Sequence, residues 1–247
     1  MRIAILSDAH ANREALVAVQ HSLRELEVET VLYLGDMVGY NADPDFCVGR
    51  ILDMASVVVR GNHDKTVASP DNLDWFNEVA REAILWTRGA LSPVNLRRLE
   101  EVPAGPLVAL DRFLVCHGSP MDEDLYITRQ RDVDRSFAYM KENHPAVSVC
   151  LFGHTHVPLV IREHDGAEEP PEELPLESGS RYLINPGSVG QPRDRDPRAA
   201  FGVIDVQEDD SMVYRQYRVP YAVEATQAKI RAAGLPAILA ERLSRGW

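Results

Sequence analysis

Over its first 60 residues the chain repeats one unit: a short apolar run, a turn rich in Gly, Asp, Asn and His, then a polar segment of helical periodicity. Residues 3–6, 31–34 and 57–59 read as strands, because short apolar runs bounded by turn formers fit buried β-structure. Between them Ala15, Leu16, Val19, Leu23 and Leu26 recur at helical spacing, and Pro44 opens a second helix carrying Val48, Ile51 and Leu52. That order predicts parallel strands joined by helices.

Beyond this unit, residues 68–101 turn helical. Trp75, Val79, Ala83 and Trp86 trace one apolar face expected to pack into the core, and Pro93 opens a further short helix. From residue 107 onward strand signals return at 107–110, 113–116, 147–152, 159–161, 182–184, 201–206 and 212–219, interrupted by one helix at 133–142. This half is expected to form a second sheet facing the first. The segment 163–180 is dense in Asp, Glu and Pro and reads as a mobile, solvated loop. The tail 221–247 carries Ala225, Ile230, Ile238, Leu239 and Leu243 in a helical pattern broken by Gly234 and Pro236. A single domain spanning 1–247 is the expectation.

A length of 247 residues with 45% hydrophobic composition suffices for one sizeable core. The net charge of -12 argues against a partner such as duplex nucleic acid, which needs a basic footprint to release counterions. It leaves room for a small phosphorylated substrate held through bound cations, since ions reverse a local potential whatever the global charge. Cys47, Cys116 and Cys150 are too scattered for a disulfide framework or a thiolate cluster. The N-terminal apolar run is too short for a signal peptide, and no stretch approaches the ~20 apolar residues of a membrane span. A cytoplasmic protein with no membrane partner follows as the expectation.

The chemistry sits where apolar runs end, which is where open α/β sheets present ligand sites. The first run ends in Asp8-Ala9-His10, the second in Gly35-Asp36, the third in Gly61-Asn62-His63-Asp64, and later ones in His117-Gly118 and Gly153-His154-Thr155-His156. An isolated histidine says little, but here five of the eight occupy strand-end turns. If these turns are extended, Asp8 with His10 and His154 with His156 each project two side chains one way. Mixed carboxylate, imidazole and amide donors suit Mn, Fe, Zn or Co rather than Ca or a thiolate-held ion.

These five motifs, in this order, resemble the calcineurin-like metallophosphoesterases, whose pattern is Asp-x-His, Gly-Asp, Gly-Asn-His-Asp/Glu, a lone His and Gly-His-x-His. The resemblance spans residues 3–193. It implies a four-layer α/β fold of two packed mixed sheets flanked by helices, and two divalent or trivalent transition-metal ions. By that likeness Asp36 bridges the ions, Asp8, His10 and His156 complete one site, and Asn62, His117 and His154 complete the other. It further implies that a hydroxide bridging the metals attacks the phosphorus, while His63 contacts the phosphate and protonates the leaving oxygen. An imidazole suits that task because its pKa lies near the working pH. The competing reading of His63 is a further metal ligand.

The phosphoprotein-phosphatase branch places Asp-Arg-Gly two residues after its Gly-Asp pair, where this chain has Gly39-Tyr40-Asn41. The departure removes a phosphate-clamping Arg and the Asp that would orient His63; Asp64 is adjacent but need not face it. A compact prokaryotic branch of small phosphodiesterases is more similar, through residues 35–40, 117–120 and 185–193. Three further residues are candidate substrate contacts. Asn12 either meets phosphate or caps a helix, Tyr40 either stacks on substrate or packs, and Arg193 either clamps phosphate or pairs with Asp194 or Asp196. The reading is therefore a metal-dependent phosphodiesterase. A serine/threonine phosphatase or dinucleoside polyphosphate hydrolase is the alternative within enzymes, and a non-catalytic metal-binding scaffold the alternative outside them.

Overall fold

In the computed structural model, which describes residues 1–247, the chain begins β1 (Arg2–Leu6), α1 (Arg13–Glu25), β2 (Thr30–Tyr33), α2 (Pro44–Met54), β3 (Val57–Val58) and α3 (Asn62–Ala68). A 3-10 turn (Pro70–Trp75) leads to α4 (Glu78–Ala90), α5 (Pro93–Glu100), β4 (Leu107–Ala109), β5 (Phe113–Val115), α6 (Gln130–Asn143), β6 (Val149–Leu151) and β7 (Leu159–Arg162). The remainder is β8 (Ala167–Glu168), β9 (Glu173–Leu176), β10 (Tyr182–Asn185), β11 (Ala199–Val206), β12 (Met212–Val219), α7 (Val223–Ala232) and α8 (Ala237–Leu243).

Two six-stranded mixed sheets result, ordered β3-β2-β1-β11-β12-β9 and β4-β5-β6-β10-β7-β8. The apolar runs are continuous because most inner strands are covered on both faces. In β1, Ile3 and Ile5 meet Phe113, Val115, Leu151 and Ile184 of the other sheet, while Ala4 and Leu6 meet Leu16, Val19 and Val48 of α1 and α2. On the far side, Val133, Phe137 and Met140 of α6 cover Leu114, Cys150 and Leu183. The layers run helix, sheet, sheet, helix, as the resemblance implies.

Three expectations are corrected. The second half does not keep to its own sheet: β11 pairs antiparallel with β1, and β12 and β9 extend that first sheet. The free edge of β1 is as good a hydrogen-bonding partner as any strand nearby in sequence, and β11 is buried along its whole length. The acidic segment 163–180 holds β8 and β9, edge strands of opposite sheets, with Leu176 buried between the sheets and Arg215 paired to Glu173. Finally, Trp75 is 76% exposed, and the buried stripe of α4 is Ala80, Ala83, Ile84 and Thr87.

β1, β2 and β3 run parallel in one sheet, as do β5, β6 and β10 in the other. The C-terminal ends of β1, β2, β5 and β6 therefore open on one rim, where the chelating turns meet.

Candidate metal centre

Asp8 and His10 follow β1, Asp36 follows β2, Asn62 and His63 open α3 after β3, His117 follows β5, and His154 and His156 follow β6. Each turn must reverse the chain within a few residues while aiming a side chain inward. It does so by the left-handed region: Asp8, His10, Asp36, Tyr40, His154 and His156 have φ of 56°, 44°, 56°, 63°, 68° and 61°. For residues bearing a Cβ this costs about 1–2 kcal/mol each, strain that clusters at functional sites. The Asp8/His10 and His154/His156 pairs thus converge through left-handed turns, not through the extended chain expected from their spacing.

Asp36 lies at the middle. Its Oδ2 is 3.5 Å from His10 Nε2 and 3.4 Å from His117 Nε2, and its Oδ1 accepts the His63 backbone N–H at 2.9 Å. On one side Asp8, His10, Asp36 and His156 bring ligand atoms within 4.8 Å of one another, and on the other Asp36, His117 and His154 do the same. Asn62 Oδ1 joins the second set at 3.2 Å from His117 Nε2.

The imidazoles are oriented for ligation. His10, His117 and His156 each donate Nδ1–H to a backbone carbonyl, of Val38 (2.9 Å), Leu34 (2.7 Å) and Gln191, and His154 donates Nε2–H to Asp124 O at 3.2 Å. A carbonyl only accepts, so the other ring nitrogen of each faces inward. Between His10 and His156 the two Nε2 lone pairs collide at 3.1 Å unless something lies between them, and His117 Nε2 stands 3.0 Å from His154 Nδ1. Asp8 Oδ1 is buried with no hydrogen-bond partner. Such inward lone pairs and an orphaned carboxylate oxygen fit cations.

Burial holds His10, His154 and His156 well below the usual imidazole range, so they stand neutral, while burial pushes Asp8 up to about 7. Asp36 and its ring of imidazoles settle oppositely: against burial, His117 and His63 hold Asp36 well below the carboxylate range, and Asp36 carries His117 up to about 10. A cation binding here displaces such protons.

His63 lies outside both ligand sets. Its ring packs at 4.8 Å from His10, 4.4 Å from Tyr40 and 5.1 Å from Phe76, and its buried Nδ1 has no partner. Burial lowers it to about 4, with Asp36 pulling the other way. Gly39, which stands where the phosphatase branch has Asp, leaves that ring its space. Asp64 does not orient His63; its oxygens accept the backbone N–H groups of Gly61 (3.0 Å) and Val38 (3.2 Å), tying two ligand turns together. A cleft of about 220 Å³ opens beside His63, lined by Tyr40, Asn62, Thr66, Phe76, Tyr126 and His154.

Of the candidate substrate contacts, Asn12 is a correction. It caps α1 through Ala15 N (3.1 Å), donates to Gly190 O (2.9 Å) and accepts from Thr226, so its polar atoms are spent in the fold. Tyr40 and Arg193 both face the rim. Asp194 and Asp196 are taken by Arg218 and Arg198, so the ion pair expected of Arg193 does not form. Arg193 instead lies along Tyr40, with Nη2 3.5 Å from its hydroxyl and Nε unpartnered. Tyr126, stacked on His154 at 3.6 Å, and the carbonyl of Asp124 escaped the sequence reading, for no motif marks them; Gln191 lies within the 185–193 motif, but the motif does not tell that its carbonyl orients His156.

Residues 1–209 match the family model of the calcineurin-like phosphoesterase superfamily domain. An uncharacterized protein of Methanocaldococcus jannaschii is 34% identical over 247 residues, covering 99% of this chain and 98% of that one. Among solved structures, a metallophosphoesterase from Sphaerobacter thermophilus matches with TM-score 0.85 and 40% identity, over 100% of this chain and 99% of that one. A hypothetical protein from Pyrococcus horikoshii shares the fold with TM-score 0.79 at 19% identity, over 100% and 98% of the two chains.

Proposed function

The chain belongs to the calcineurin-like phosphoesterase superfamily, and from that membership we propose that it is a dinuclear metal-dependent phosphodiesterase acting on a small phosphorylated substrate. The observation that carries this reading is the meeting of two ligand sets on Asp36, with His63 beside them, unligated and facing a cleft. Asp8, His10, Asp36 and His156 would hold one ion, and Asp36, Asn62, His117 and His154 the other. The donor set suits Mn, Fe, Zn or Co. When bound, such a pair supplies an ionised water at neutral pH and positive charge against the phosphoryl oxygens.

The chain's own residues do the rest. Asp36 draws the ligand sets together and, through the His63 backbone N–H, fixes the start of α3. His63 presents Nε2, the ring nitrogen not buried against Gly39, to the leaving oxygen and hands it a proton; the negative charge of a docked phosphoryl group favours the imidazolium that burial alone disfavours. Arg193 supplies a guanidinium to the non-reacting oxygens, the fork geometry that phosphate accepts best. A diester fits better than a monoester because the rim offers space on both sides of Tyr40, about 220 Å³ beside His63 and about 610 Å³ beside Arg193. An intact His63 in an open cleft favours an enzyme over a metal-binding scaffold.

The test is hydrolysis of bis-p-nitrophenyl phosphate and p-nitrophenyl phosphate by chelated, Mn-loaded and Zn-loaded protein. Metal-dependent turnover favouring the diester is expected, with His63→Ala lowering kcat about 10²- to 10⁴-fold at unchanged metal content. Equal turnover by chelated and loaded protein, or full kcat in His63→Ala, would sink the proposal.

A further inference from the structure

The cavity of about 610 Å³ next to the metal centre is walled by Tyr40 and Arg193 on the inner side and by Arg242, Ile238 and Trp247 on the outer. Its outer wall is the C-terminal tail. Residues 210–247 lie beyond the stretch that the family model matches.

The tail is fixed in place by specific contacts. Lys229 of α7 pairs with Glu14 of α1 (2.6 Å) and with Asp43 (2.7 Å), and Thr226 reaches Asn12 and Glu14. Ile230, Leu235, Leu239, Ala240 and Leu243 pack with Tyr40, Ala80 and Ala83 into a core of their own. At the far end Gly246 O accepts the Arg195 N–H at 2.7 Å, holding the tail against the loop that carries Arg193.

Two guanidiniums face this cavity. Among the described residues neither Arg193 nor Arg242 has a side-chain carboxylate within salt-bridge distance, for Asp194 and Asp196 beside Arg193 are taken by Arg218 and Arg198. Arg242 donates Nε–H to the main-chain oxygen of Trp247, the last residue, at 2.6 Å and lies over the Tyr40 ring at 5.8 Å from its centroid. Burial and the nearby Arg193 both lower the Arg242 guanidinium, so the two repel each other. Glu78 lines the same cavity without bridging to either. Like charges held together half-buried cost stability unless an anion joins them. Beside them Val79, Ile238 and Trp247 offer an apolar wall that suits a planar ring.

We propose that this cavity is a second subsite, in which Arg242 clasps an anionic group of the substrate other than the scissile phosphoryl, which stays with the neighbouring Arg193, while the apolar wall receives a ring attached to that group. The substrate class is thus a phosphodiester whose one arm carries a further phosphate or carboxylate and an aromatic ring. This rests on the phosphodiesterase reading above and adds the identity of one ester arm.

The test uses the full-length, Mn-loaded chain and two substrates that differ by one phosphate: thymidine 5′-(p-nitrophenyl phosphate) and the same ester bearing a 3′-phosphate. The second is expected to have a KM about tenfold lower, the contribution of one charge-assisted contact. In Arg242→Ala that ratio falls below about twofold, and Arg242→Lys restores part of it. Calorimetric binding of thymidine 3′,5′-bisphosphate supplies a readout independent of turnover, with Arg242→Ala expected to bind about tenfold more weakly and inorganic pyrophosphate, lacking the ring, more weakly than the nucleotide. Equal KM values for the two esters in the wild type, or equal nucleotide binding by wild type and Arg242→Ala, overturns the subsite. Nucleotide binding that depends on Arg242 without turnover of either ester, or of bis-p-nitrophenyl phosphate, would keep the subsite and reject the phosphodiesterase reading.

Discussion

A methyl group at position 39 would overlap His63 Nδ1, and the backbone there has φ of +91°. Gly39 therefore serves two needs at once, a left-handed turn and room for the imidazole. Gly179 separates them, because its φ is +82° while a Cβ there meets nothing within 4 Å. Alanine at either position is expected to cost about 1–2 kcal/mol of stability through the backbone alone. Only Gly39→Ala should also displace His63, lowering kcat about tenfold or more while Gly179→Ala leaves kcat at the wild-type value; thermal melts and steady-state kinetics on both variants decide it. Equal kcat in the two would mean that His63 tolerates movement and is not placed by Gly39. At this scale the ligand candidates were legible because each motif is two to four residues long and ends an apolar run. The left-handed backbone of Asp8, His10, His154 and His156 was not, since an Asp or His, unlike a Gly, does not announce φ > 0. Nor was the isolation of Arg193, which depends on Arg218 and Arg198 taking Asp194 and Asp196.

Between elements, the loop after β5 is tied to α3 by Glu123, which takes Arg60 at 3.0 Å through both carboxylate oxygens and Lys65 at 3.0 Å. Lys65 also holds Asp124, whose carbonyl accepts from His154. Glu123 thereby positions a ligand from a distance. Burial works to raise its carboxyl, but Arg60 and Lys65 hold it below the ordinary value. The sign follows: a depressed folded-state pKa contributes stability above the unfolded value, about 4.3, and loses it as pH falls through the folded one. Glu123→Gln is expected to cost about 1 kcal/mol at pH 7, with the gap to wild type closing below about pH 4 in urea melts. Metal affinity should fall about tenfold, the usual effect of disturbing what orients a ligand. Unchanged affinity with lowered stability would make Glu123 a structural tether alone. The strands around this loop were readable from their apolar runs, but sheet membership was not. β11 and β12 follow the strands of the second sheet in sequence yet pair into the first, and the acidic segment hides two edge strands because an edge needs few apolar residues.

For the molecule as a whole, the two ligand sets draw on turns from both sheets: Asp8, His10 and Asp36 from the first, His117, His154 and His156 from the second. The apolar layer between the sheets packs with or without ions, and its continuity explains why the four-layer arrangement could be expected from periodicity and the family likeness together. The rim is different. Without cations, the neutral imidazoles of His10 and His156 point lone pairs at each other across 3.1 Å, and Asp8 Oδ1 stays orphaned. Ions bound there as proposed would link the sheets in the folded state and find no comparable site in the unfolded chain, so they would stabilise by mass action. At a free concentration about a thousandfold above Kd that amounts to about 4 kcal/mol. A chain of this size shifts its Tm by about 2–4 °C per kcal/mol, so chelation should lower the Tm by roughly 8–16 °C. The same chelator should move Asp36→Asn far less, because that variant lacks the carboxylate shared by both sets. A wild-type Tm indifferent to chelation, with elemental analysis confirming that the ions have left, would mean that the rim holds its shape through the strand ends alone and that the lone-pair repulsion is relieved by bound protons.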